Sequence, residues 1–214
     1  MQKQIILPWG QVARIAYNSL RVRFFRSAIT IGTLTLAVSF VVYTWAGYEI
    51  LNSVYPHLDE DSRQKILAKG FEQIGGRFGT GPKEIWLAIL SLLVCVTGVV
   101  NAHLMAVTER FREIGTLKCL GALDSFVMKI FVLEAIYQGF FAGVAGNVLG
   151  IVAATLMMVF TLGSPPLVFW PAVEMTILFG WALLLSVFLS TVGVIYPALV
   201  AARMRPASAM RAEQ

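Results

Sequence analysis

The sequence predicts an all-α polytopic membrane protein with four transmembrane helices, and three observations carry that reading. Of 214 residues, 57% are hydrophobic and only 14% are charged, where soluble domains carry about 25% charged residues. Four stretches, 27 to 48, 85 to 108, 135 to 173 and 175 to 202, contain no Asp, Glu, Lys or Arg. Each reaches the roughly 20 apolar residues a helix needs to cross hydrocarbon, and each is too long and continuous for a barrel strand. An ordinary soluble globule is excluded. The net charge of +5 does not point to nucleic acid, because the basic residues flank apolar runs and form no polar surface.

The elements follow in order. In residues 1 to 26, Val12, Ile15, Ala16, Leu20 and Phe24 recur at helical spacing while Arg14, Arg21 and Arg23 fall on other faces. That pattern fits an amphipathic helix along the cytoplasmic interface or a basic topogenic flank. The first span, 27 to 48, lacks a small-residue cleavage site and reads as a retained signal anchor. In the segment from 49 to 84, Asp59 or Asp61 is placed to cap a short helix with Ile66, Leu67 and Phe71 on one edge. Gly70, Gly75, Gly76, Gly79 and Gly81 then predict a flexible return.

The second span covers 85 to 107 and is followed by a polar segment, 108 to 129. The third, 130 to 162, is closed by Gly163, Ser164, Pro165 and Pro166, leaving a short loop to 174. The fourth covers 175 to 200, where Pro197 is expected to kink or end the helix, and a tail runs from 201 to 214. Lys and Arg number twelve on the side of the termini against five on the other. By the positive-inside rule both termini are cytoplasmic.

Sites for chemistry are few. The chain has no G-x-x-x-x-G-K-[ST] loop, no metal-ligand spacing, and two cysteines, Cys95 and Cys119, that suggest no disulfide. The polar residues inside apolar helices are Asn101, His103 and Glu134, which mark either helix packing or a functional path. Glu134 invites a salt bridge to Lys129, Lys118 or an arginine of the 108 to 129 segment, or contact with a substrate head group. Gly139, Gly143, Gly146 and Gly150 share one helical face beside Asn147, a seam for close approach by another helix, in the same subunit or in a dimer.

The most distinctive stretch is Thr108 to Ala122, T-E-R-F-R-E-I-G-T-L-K-C-L-G-A. It resembles the T-E-R-x-R-E-I-G-x-x-K-x-L-G-A motif of the FtsX-like permease domain shared by MacB-type and LolC/LolE-type ABC transporter subunits. The leading basic segment with the first span, Glu134-Ala135 with the glycine seam, and Y-P-A-L-V-A-A-R-M-R-P-A-S-A-M-R-A-E resemble that family too. Its large extracytoplasmic domain is replaced here by about 36 residues.

The resemblance implies a non-catalytic permease subunit in a bacterial plasma (inner) membrane, paired with a second permease copy or homologue. It implies a separate ABC ATPase subunit that carries the ATP and Mg, so that this chain binds no cofactor. Arg110, Arg112, Glu113, Ile114, Gly115, Leu117, Lys118, Leu120 and Gly121 would form the coupling element, with Gly121 ending the helix. The implied work is mechanotransmission, driving export or extraction of a substrate at the extracytoplasmic side. The small outer segment leaves room for an extracytoplasmic adaptor, a substrate-binding protein or membrane lipid as partner. Two other readings stand beside it: a transducer that activates an outer partner without transport, and, with least support, a membrane enzyme.

Overall fold

The computed structural model describes residues 24–58, 60, 63–64, 66, 73–74, 77–119 and 122–202. The amphipathic segment before residue 24, the caps at Asp59 and Asp61, Leu67, Phe71, Gly70, Gly75, Gly76, Leu120, Gly121 and the tail from 203 lie outside them. Among the described residues the architecture is α-helical with one two-residue hairpin. The long helices are α1 (Phe24–Val54), α2 (Pro82–Glu109), α4 (Asp124–Leu162) and α6 (Ala172–Ala202). Between them fall α3 (Phe111–Cys119), α5 (Pro165–Val168), a 3₁₀ turn (Tyr55–His57), and the strands β1 (Gln73–Ile74) and β2 (Arg77–Phe78).

All four long helices are long and apolar enough to cross a membrane. With 28 to 39 residues each, all four begin before the expected spans, and all but α4 also run past their ends, since a helix leaving hydrocarbon keeps its backbone hydrogen bonds. At 1.5 Å per residue, α2 is about 42 Å long. It stops at Glu109. Pro197 does not end the fourth helix, which continues to Ala202. After α4, Gly163 adopts φ +80°, a left-handed conformation that glycine takes without a Cβ penalty. The two prolines that follow open α5.

Each long helix contributes to two compact units, one of 1–34, 95–141 and 186–214, the other of 35–94 and 142–185. The first is centred on Val107, Ile114, Val127, Phe131, Ala135, Val194, Ala198 and Ala201. The second has Ile50, Leu51, Val54, Ile66, Phe78 and Met175 at its core.

In that second unit the segment expected to be a flexible return contains a two-stranded pairing. β1 and β2 pair antiparallel, Gln73 with Phe78 and Ile74 with Arg77. The Asn52 side chain completes the edge: its Nδ2 donates to Phe78 O and its Oδ1 accepts from Phe78 N, both at 2.8 Å. Tyr55 meets the Phe78 ring edge-on at 4.9 Å. Ser53 Oγ donates to Phe169 O at 2.7 Å, and His57 stacks on the Phe169 ring at 3.9 Å.

Candidate functional site

The polar segment after the second span folds as a helix held by the ends of its neighbours. At Arg110 the backbone turns: its N–H donates to Val107 O at 3.1 Å, and its carbonyl accepts from Ile114 N at 2.9 Å. No proline or glycine marks this break. Its distinguishing residue is Arg110, whose side chain is drawn inward. Nη1 lies 3.0 Å from Glu134 Oε2 and Nη2 lies 3.3 Å from Glu134 Oε1, a two-pronged, charge-assisted pair. Arg110 is 7% exposed and Glu134 5%. The Arg110 guanidinium carbon also sits 5.8 Å from the Phe131 ring centre, within cation–π range.

α3 then runs from Phe111 to Cys119 with Glu113 in its first turn and Lys118 in its last, the charge order that complements the helix dipole. Ile114 is 4% exposed and joins the core built with α2, α4 and α6. Gly115 is buried beside it, while Glu113, Thr116 and Cys119 are exposed. Lys118 Nζ donates to Ala202 O, the last residue of α6, and meets Asp124 Oδ1, in the first turn of α4, at 2.8 Å. α3 is therefore tied to α4 and α6 by two polar links and one apolar anchor.

Arg110, Ile114 and Lys118, expected in the coupling element, make contacts within the chain. Glu113 remains on the exposed face, and of Arg112 and Leu117 only the helical backbone is described. Of the polar residues expected inside the spans, Glu134 takes Arg110 as its partner and His103 is 3% exposed. Asn101 is on the exposed side of α2, so the three do not converge on one site.

The glycine seam contacts two different helices of the same chain. A Cβ at Gly139 would come within 2.9 Å of Val187 Cα in α6. At Gly146 it would lie 2.9 Å from Thr35 O, and at Gly150 2.7 Å from Ser39 O, both in α1. Gly143 is buried and its carbonyl accepts from Asn147 Nδ2 at 2.8 Å; Asn147 also reaches Phe179 O at 3.4 Å.

Sequence reasoning missed Ser186 and Ser190. Their hydroxyls donate to Gly139 O at 2.8 Å and Ala135 O at 2.7 Å, linking α6 to α4. Two serines four residues apart in an apolar helix share a face, and that spacing was the available signal. Ser186→Ala and Ser190→Ala are each expected to lower stability by about 0.6 kcal/mol, the average for interhelical hydrogen bonds in a membrane protein. Unfolding by SDS titration in mixed micelles measures it.

The fold and this site define a multi-pass helical membrane protein with a short polar helix fixed to the ends of its spans. The model of the family described as FtsX-like permease C-terminal matches residues 85–206, more than half of the chain, which therefore belongs to that family. Among curated relatives, an uncharacterized ABC transporter permease of Methanocaldococcus jannaschii is 31% identical over 60% of this chain and 32% of its own length. The macrolide export ATP-binding/permease protein MacB of Nitrosomonas europaea is 34% identical over 59% of this chain and 18% of its own. The lipoprotein-releasing system transmembrane protein LolC of Haemophilus influenzae is 33% identical over 59% and 33%. The chain spans about a third or less of the length of these relatives.

Proposed function

We propose that the chain is the membrane-spanning, non-catalytic permease part of an ABC transporter, transmitting work from a separate ATPase subunit to the opposite side of a bacterial plasma membrane. The observation that carries the reading is the attachment of α3. Lys118 ties it to the ends of α4 and α6, and Arg110, at the junction of α2 and α3, is clamped to α4 by Glu134. A force applied to its exposed face passes into the spans through these links instead of being lost in a loose loop.

In this reading the ATPase seats against α3, with Arg112 and Glu113 in the contact and ATP and Mg held by the ATPase. In this reading both termini and α3 lie on the cytoplasmic side, the orientation that the Lys and Arg distribution supports. A second permease copy or homologue completes the complex. The family membership and the names of the relatives support the assignment, and cargo extraction or export is its direction of work.

The test is gentle purification of the tagged chain from its native membrane, with co-purifying proteins identified by mass spectrometry. A P-loop ATPase is expected with the native chain and is expected to be lost when Arg112→Glu and Glu113→Arg are combined, with membrane insertion unchanged. Undiminished ATPase recovery and coupling in the double variant would sink the assignment of these two residues.

A further inference from the structure

A concavity of about 520 Å³ lies between the end of α1 and the start of α6. Its walls are apolar: Val41 and Trp45 from α1, and Ile177, Leu178, Trp181 and Ala182 from α6. Glu49, Arg77 and Glu174 stand at its rim, and the same three residues line an adjoining polar cavity of about 490 Å³ with Asn52, Ser53 and Tyr55. All these residues belong to one compact unit. Together the two cavities form a cleft that is apolar at one end and charged at the other.

We propose that this cleft binds a zwitterionic phospholipid whose head group carries a primary ammonium, that is, a phosphatidylethanolamine. Such binding requires that the chain span a membrane and does not require ATPase coupling. Glu49 and Glu174 flank the charge-free runs of the first and fourth spans, which puts the rim at the membrane–water boundary and the apolar walls at acyl-chain depth. Trp181 is 70% exposed and Ile177 57%, and apolar exposure at this depth faces lipid. Tryptophan is favoured at that boundary, where its ring meets both phases.

The rim decides the head group. Glu49, Arg77 and Glu174 line both cavities, and among the described residues no ion pair joins any of them to another. Two carboxylates accept hydrogen bonds from a primary ammonium, and one guanidinium matches a phosphodiester. A trimethylated ammonium has no N–H to donate. A purely anionic head would meet two carboxylates for one guanidinium.

The experiment uses the full chain in nanodiscs, with Trp9, Trp45, Trp86 and Trp170 changed to Phe so that Trp181 reports alone. Phosphatidylethanolamine, phosphatidylcholine or phosphatidylglycerol with brominated chains is added as a minor component of otherwise identical bilayers. Quenching is expected to favour the ethanolamine lipid by about three- to fivefold, the scale of one charge contact near the interface. Glu49→Gln with Glu174→Gln is expected to abolish the preference. Glu174→Gln alone, at an exposed first-turn position, is expected to halve it and serves if the double variant does not insert. Equal quenching by all three lipids, a preference unchanged by Glu174→Gln, or no quenching because another chain covers the cleft would each overturn the proposal.

Discussion

Glu134→Ala is expected to destabilise the protein by about 3–5 kcal/mol, because it leaves the Arg110 guanidinium buried without its counter-charge. Arg110→Ala should cost a similar amount for the converse reason. The paired carboxylate and guanidinium lie at 3.0 and 3.3 Å, in surroundings that exclude solvent from both. Replacing the two together, as Arg110→Met with Glu134→Leu, is expected to cost far less than the sum of the single changes, since buried pairs exchanged for apolar residues are often close to neutral. Unfolding in mixed micelles measures the stability, and the double-mutant cycle isolates the pair. Additive single and double effects would show that the ion pair does not hold the α2–α3 junction.

The restored stability need not restore function. Apolar replacements keep the core filled but remove the directional link between Arg110 and α4. If that link transmits work as proposed, the Met/Leu double variant folds and keeps the proposed ATPase partner while coupling falls.

Gly150→Ala carries the second large expectation. Its new methyl would lie 2.7 Å from both Ser39 O and Val42 Cβ, and neither a backbone carbonyl nor the Cβ of a helical valine moves without shifting α1. A loss of about 1–3 kcal/mol is expected, the scale of overpacking, and Gly146→Ala should behave similarly. Gly32, Gly98 and Gly180 are the controls, since an added methyl at each would meet nothing within 4 Å among the described residues. Alanine there is expected to be neutral or to stabilise by about 0.5–1 kcal/mol through backbone entropy. Equal behaviour of the two glycine groups would contradict the close α1–α4 approach.

The contrast shows what a sequence pattern conveys and what it omits. A four-three-four glycine spacing states that one face of a helix is bare. It does not state that Gly139 faces α6 while Gly146 and Gly150 face α1, because that depends on which neighbours the tertiary fold supplies. The spans themselves were legible from charge-free runs, since a charge in hydrocarbon is costly in any fold. Their ends were less so: α4 begins at Asp124, six residues before its expected start, because a helix continues past the hydrocarbon wherever its backbone is satisfied.

Glu134 was recognisable as a residue needing a partner, but Lys118, Lys129 and the nearby arginines were equivalent choices along the chain. The helical turn at Arg110 selects among them. The hairpin was hidden for a different reason: Gly75 and Gly76 suit a tight return as well as a flexible one, and Asn52, which pairs with the backbone of Phe78 from 26 residues away, has no local signature. Of the α3 site, the Thr108 to Ala122 motif identified the segment, whereas the division between its buried and exposed faces required the positions of α4 and α6.

The central claim is that the exposed face of α3 receives an ATPase, and Cys119 gives direct access to it. This thiol is exposed on α3, whereas Cys95 is buried in α2. A maleimide carrying a photoreactive group, attached at Cys119 in native membranes and illuminated, labels whatever lies against the helix. The expected product is an adduct with a P-loop ATPase, absent in a Cys119→Ser chain. An adduct formed only with lipid or with another copy of this chain would contradict the claim.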